Sequence, residues 1–201
     1  MVYSNFTLET VRKNFQLETD EAADISSKIE PVVPSEHLTT ALAKKVPLAL
    51  AIGTEKASSE LIVTDILVEL REKFEKRISF FSGIDFSVDV EKGLTGVCDF
   101  LVSLSPVQFY LEAPIIILVE AKRENPVSGF GQCIAEMVAA QHFNTQKGNV
   151  IPVIYGASTT GTVWQFLKLE GQQLYIDREP YSIRECNKIL GILASMVEQQ
   201  A

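Results

Sequence analysis

From residue 58 onward the apolar positions fall into regular periods. Leu61, Ile62, Ile66, Leu67, Leu70 and Phe74 recur at helical spacing, which predicts an amphipathic helix over 58–77. Ser58 or Ser59 can cap it, and Glu60 sits near its start, where the helix dipole favours a carboxylate. Residues 84–91 alternate strictly between apolar and polar, the mark of a strand with one wet face. A turn at 93–96 and a second strand over 97–104 make this an antiparallel hairpin. Pro114 then introduces Ile115, Ile116, Ile117, Leu118 and Val119, a continuous run that reads as a central strand buried on both faces. After a loop at 124–129, Phe130, Ile134, Met137, Val138 and Gln141 mark the inner stripe of a helix. Strands are predicted over 149–157, 163–169 and 173–176, separated by turns at 159–161 and at Gly171. The last helix opens on the capping box Ser182-Ile183-Arg184-Glu185 and carries Cys186, Ile189, Leu190, Leu193, Met196 and Val197 on one face. The order α-β-β-β-α-β-β-β-α describes an α/β architecture, a mixed central sheet flanked by helices. Its hairpins argue against a purely parallel doubly wound sheet.

Residues 1–57 read differently. The stretch 14–30 is polar and acid-rich, and Pro31 and Pro34 interrupt the chain after it. A short helix is expected at 35–45, capped by Ser35, with Leu38, Ala41 and Leu42 as a narrow apolar stripe and Pro47 ending it. This gives an N-terminal extension with a short helix, 1–57, packed on an α/β domain, 58–201.

Composition narrows the classes. Of 201 residues, 46% are apolar and 22% charged, which excludes a mostly disordered chain. No apolar run approaches the roughly 18–20 residues that cross a bilayer, so no membrane partner is expected. The first residues lack the basic and apolar regions of a signal peptide. Cys98, Cys133 and Cys186 are an odd number with no CxxC pair, which argues for reduced thiols in a cytoplasmic setting. Two histidines, His37 and His142, are too few for a His-rich metal site. A net charge of −8 gives no overall field toward nucleic acid, so any such activity must rest on a local basic strip, bound cations or a partner.

The informative stretch is 115–124, IIILVEAKRE. A greasy strand ends abruptly in Glu120, Ala121 and Lys122, and residues two apart on a strand share a face. A carboxylate beside such a strand is costly unless a cation compensates it. Asp99 interrupts the apolar run Val97, Phe100, Leu101, Val102 of the preceding strand. If the two strands are neighbours, Asp99 and Glu120 converge, and close carboxylates repel unless a cation sits between them. Oxygen ligands of this kind suit Mg²⁺. The parts are those of metal-assisted phosphodiester hydrolysis, with Lys122 orienting or deprotonating the attacking water.

Asp99, about twenty residues, then Glu120-x-Lys122 on a buried strand, after a helix bearing Glu60, resembles the PD-(D/E)XK nuclease superfamily. The resemblance covers roughly 110–120 residues, from residue 58 to about 169. It implies a restriction-endonuclease-like αβββαβ core and a Mg²⁺- or Mn²⁺-dependent hydrolase acting on phosphodiester bonds of DNA. It implies that Asp99, Glu120 and the backbone carbonyl of Ala121 bind metal, that Glu60 touches it through water, and that Lys122 serves the water. Gln132, in Gly129-Phe130-Gly131-Gln132, matches a glutamine many members carry on the following helix. Nucleic acid is then the implied partner, and many members form homodimers to cut both strands; a protein partner is the alternative for a member that has lost catalysis. Cys98 stands where many members have proline before the aspartate.

Other motifs carry less. Residues 156–161, GASTTG, lack the Gly-Lys-Ser/Thr ending of a phosphate loop and read as a hairpin turn. Cys98 reads as a buried free thiol, Tyr155 and Trp164 as core or sheet-face residues, and His142 as a partner of its helix C-terminus. Lys122, Arg123, Lys147 and Lys168 are the candidates for a basic groove, with a scattered solvated face the plainer reading for the last two.

Overall fold

A computed structural model describes residues 2–200. Among them, eight strands form one mixed sheet in the order β1-β7-β6-β5-β4-β3-β2, with β8 pairing β6 off that path. The strands are β1 (Glu18–Ala23), β2 (Ser79–Asp85), β3 (Val97–Ser103), β4 (Ile115–Ala121), β5 (Val153–Thr159), β6 (Val163–Glu170), β7 (Gln173–Asp177) and β8 (Tyr181–Ser182). The helices are α1 (Leu8–Phe15), α2 (Glu36–Ile52), α3 (Glu55–Ser58), α4 (Thr64–Lys73), α5 (Phe130–Gln146) and α6 (Cys186–Glu198). One face of the sheet packs on α2, α4 and α6 through Leu38, Ile66, Leu70, Ile117, Val119, Phe166 and Leu193. The other packs on α1 and α5 through Val11, Leu101, Leu118, Ile134, Met137 and Leu167. The α/β reading with a mixed sheet between helices holds.

The apolar run sits at the centre as expected. Every residue of β4 is buried. It is antiparallel to β3 and parallel to β5, so α5 is the crossover between two parallel neighbours. Asn144, buried near the end of α5, fixes where β4 begins. Its side chain accepts from the Ile115 amide at 2.8 Å and donates to the Ile115 carbonyl at 2.7 Å.

Several boundaries differ from the sequence reading. The alternating segment 84–91 was expected to be the first strand of the hairpin, but β2 covers Ser79–Asp85 and only its last two residues come from that segment. Beyond Asp85 the chain still faces β3, with the Phe86 amide donating to the Gly96 carbonyl and the Val88 amide to the Leu94 carbonyl. The hairpin is real, but its ladder is carried by Phe80 and Phe81, which alternation alone did not mark. Gly83 takes a positive φ of +62° within the strand, a conformation that favours glycine.

Pro47 does not end its helix. It lies inside α2, which runs on to Ile52 and stops at Gly53, in the left-handed region at φ +68°. Leu38 and Leu42 before the proline and Ala49 after it are all buried, so packing on both sides offsets the missing hydrogen bond. The next helical stretch starts at Glu55, ahead of the predicted Ser58. Thr54 is the cap, its hydroxyl accepting from the Ala57 amide at 3.1 Å. The stretch is α3 and α4 joined by a π turn, Ser59–Val63. The strand predicted over 149–157 begins only at Val153.

Residues 2–57 enter the same layers. Strand β1 lies parallel to β7. The Tyr3 hydroxyl donates to the Phe86 carbonyl at 2.6 Å and the Tyr3 amide to the Thr95 carbonyl at 3.0 Å, pinning the hairpin loop. Phe6 and Thr7 pass so close to the start of α5 that a side chain at Gly131 would meet their backbone.

Candidate functional site

Register brings the two carboxylates together. Phe100 pairs with Val119 and Leu101 with Leu118 across β3 and β4. One further step of that antiparallel register sets Asp99 opposite Glu120, on one face of the sheet. The Asp99 carboxylate accepts the Ala121 amide at 2.9 Å, which ties it to the end of β4. Ala121 is buried. Lys122 follows where the strand emerges, its own amide donating to the Thr159 carbonyl at 2.8 Å.

The Lys122 ammonium donates to Glu120 Oε1 and, at 3.2 Å, to Gln132 Oε1. The Gln132 amide donates in turn to Glu136 Oε1 at 3.2 Å. Asp99, Glu120, Lys122 and Gln132 are therefore assembled as one cluster between the exit of β4 and the first turn of α5. Gly129 is what allows the close approach. A Cβ there would lie 3.0 Å from Lys122 Cγ and 3.2 Å from Glu120 Cγ, and would also strike the Ser158 hydroxyl.

Burial sets the electrostatics. Desolvation, then the charge of Asp99, raises the Glu120 carboxyl from its ordinary 4.5 to about 8, against the opposing pull of Lys122. Burial pulls the Lys122 ammonium down, but Glu120, the hydrogen bond between them, Glu55 and Asp99 together push it above its ordinary value. The Oε2 atoms of both Glu120 and Glu136 are buried without a hydrogen-bond partner. An orphan carboxylate oxygen facing a second carboxylate is a place a cation fits.

Glu60 is placed differently from the rest. It sits on the π turn, well exposed, with Lys56 at 3.7 Å. It lines a cleft of about 300 Å³ with Glu55, Lys56, Ser59, Ser82, Gly83, Asp99 and Phe100. The acid on this helical stretch that acts on Glu120 and Lys122 is Glu55. Among the described residues no group of three or more His, Cys, Asp or Glu side chains is gathered to hold a metal ion. The donors that do converge are two carboxylates, Asp99 and Glu120.

Two members of the cluster escaped the sequence reading. Glu55 lies ahead of Ser58, where the apolar periodicity places the helix start. Glu136 lies inside an apolar stripe; its signal is being the sole carboxylate on α5. The remaining candidates lie elsewhere. Lys147 follows the far end of α5, about 22 Å along the helix axis from Gln132. Lys168 stacks over the Tyr175 ring and pairs with Glu170 at 2.9 Å. Trp164 is buried, its indole donating to the Gly161 carbonyl at 3.0 Å. Of the GASTTG segment, residues 156–159 complete β5 and only residues 160–161 enter the turn to β6, with Gly161 at φ +82°. All three cysteines are free and buried. No helix among the described residues is long and apolar enough to cross a membrane. No protein-family model, no curated protein and no solved structure matches the chain.

Proposed function

We propose that the chain is a divalent-metal-dependent nuclease of PD-(D/E)XK type, hydrolysing phosphodiester bonds of DNA. The observation that carries this reading is the buried, half-unpartnered Glu120 facing Asp99 with Lys122 held against it. The sheet order supports it too: β2, β3 and β4 are antiparallel neighbours, α5 crosses over, and β5 is parallel to β4, as that fold implies. Asp99 and Glu120 would hold Mg²⁺ or Mn²⁺ with the Ala121 carbonyl, and Glu60 would reach it through water from the cleft rim. A cation held there would supply a water of lowered pKa and polarisation of the phosphoryl oxygen. Asp99 is steadied by the Ala121 amide, so its carboxylate is pre-oriented. Glu120, once paired with a cation, is held ionised in surroundings that otherwise favour its neutral form. Lys122, released from Glu120, turns its ammonium to the attacking water.

The test is cleavage of supercoiled, linear, branched and single-stranded DNA and of RNA, with Mg²⁺ and with Mn²⁺. Metal-dependent cutting by the wild type and its loss in Lys122→Ala support the reading. Equal cutting by Lys122→Ala overturns the assigned mechanism.

A second reading is a catalytically silent module of the same fold that binds a protein or nucleic-acid partner. The observation favouring it is the acidic balance, −8 overall, with Glu55 and Glu60 on the cleft itself. Silence on all five substrates by a protein that still binds metal would favour this alternative.

A further inference from the structure

Lys122 has only protons to offer, so Gln132 must present its carbonyl oxygen to that ammonium. The Gln132 NH₂ then necessarily faces the other way, toward Glu136 Oε1 at 3.2 Å. A side-chain amide can rotate by half a turn at little cost, and in the wrong orientation it would aim two N–H bonds at a cation. What selects the productive orientation is an acceptor behind it. Glu136 is that acceptor, one helical turn on from Gln132 and fully buried. A carboxyl group there is hard to explain by packing. Ala135, Met137 and Ala139 around it are buried and apolar, and its Oε2 has no partner.

We propose that Glu136 is a positioning residue: it locks the Gln132 amide so that Gln132 Oε1 holds the Lys122 ammonium beside Glu120. This rests on the nuclease reading for its purpose, but not for its geometry. Glu136, fully buried, acts through Gln132. In either protonation state its carboxyl keeps an oxygen free to accept, so the lock does not depend on its charge. A glutamine can supply the same acceptor, whereas methionine keeps the length and removes it.

The experiment is a double-mutant cycle on the full chain, read by the rate at which an amine-acylating reagent labels Lys122, followed by peptide mass spectrometry. Losing the Gln132 acceptor should free the amine, so Glu136→Met should label Lys122 about tenfold or more faster than wild type, the scale of one hydrogen bond to a charged group. Glu136→Gln should restore the wild-type rate. Gln132→Leu should accelerate labelling by itself, and adding Glu136→Met to it should change nothing further. Unchanged labelling in Glu136→Met, or an equal acceleration in the Gln132→Leu background, overturns the proposal. If Glu136→Met does not fold, Glu136→Ala takes its place in the same cycle. Where the wild type cuts, Glu136→Met should lower kcat with KM unchanged. A wild type that never cuts, together with the non-additive labelling, would sink the nuclease reading and leave the Glu136 lock standing.

Discussion

Lys122 and Glu120, two residues apart at the end of β4, form an ion pair in which the Glu120 side chain is buried and the Lys122 side chain stays partly exposed. The two partners are thus not equivalent. Taking the charge from Glu120 removes a buried ion, while taking Lys122 away leaves one without its cation.

Glu120→Gln should therefore leave stability unchanged or raise it, and abolish metal-dependent cleavage. Lys122→Ala should lower stability by about 1–3 kcal/mol, because the buried carboxylate loses its charged donor. Urea unfolding of the two variants at about pH 9, where Glu120 is ionised in the folded protein, measures the difference. A Lys122→Ala protein as stable as Glu120→Gln would contradict the asymmetry.

The apo protein should lose stability as pH rises. Glu120 binds its proton more tightly folded, at about 8, than at its ordinary 4.5, so its contribution is fully present below 4.5 and disappears as pH climbs through 8. Burial raises the Glu136 carboxyl as well, which adds to the same trend. Thermal melts between pH 4.5 and 8.5 should fall along this range, with a shallower slope in Glu120→Gln. A flat profile would mean that Glu120 is ionised throughout.

Metal should reverse that trend. Under the proposed metal binding by the ionised carboxylates, the rise in melting temperature with Mg²⁺ or Mn²⁺ should follow RT ln(1 + [L]/Kd) and grow with pH. Absence of a shift at tens of millimolar metal would favour the silent module.

Gly129→Ala should damage the site from outside it. The added methyl presses on the stems of Lys122 and Glu120 and on the Ser158 hydroxyl. A stability loss of about 1–3 kcal/mol is expected, together with reduced cleavage.

Asn144→Leu tests the other end of β4. Both polar groups of Ile115 would lose their partner in a buried setting, at a cost of about 2–4 kcal/mol. Cleavage per folded molecule should be nearly unchanged, since Asn144 stands away from Lys122. A selective loss of activity would show that the start of the strand controls its end.

The parts of this molecule that were legible in the sequence are those where one local pattern decides the outcome. A run such as Ile115 to Val119 can only be interior, so Glu120 and Lys122 had to emerge together, and the lone Asp99 on the neighbouring strand found its partner by register. Where two local signals compete, tertiary packing decided. Pro47 is a helix breaker overruled by buried Leu42 and Ala49, and the alternation of 84–91 lost to Phe80 and Phe81. Glu136 was hidden for a different reason: helical periodicity assigns faces, and a carboxylate on the inner face carries no marker of what it touches. Residues 18–23 showed no apolar alternation because an outer strand needs only one buried position, here Ala23.

That outer strand bears on the charge of the whole chain. Glu18, Asp20 and Glu21 lie exposed on β1, the last strand of the sheet, four places from β4 in the strand order. At the usual spacing this is about 19 Å from the line of Glu120. Counter-ions at physiological salt screen surface charges beyond about 8 Å, so these three carboxylates exert little force on an anionic chain approaching Lys122. What such a chain would meet is set by the few groups around the exit of β4: the acids Glu55 and Glu60 against Lys56, Lys122 and Arg123. A sum over all residues says little about that encounter. The same three charges, ranged along an open strand, would oppose pairing with the matching strand of a second copy.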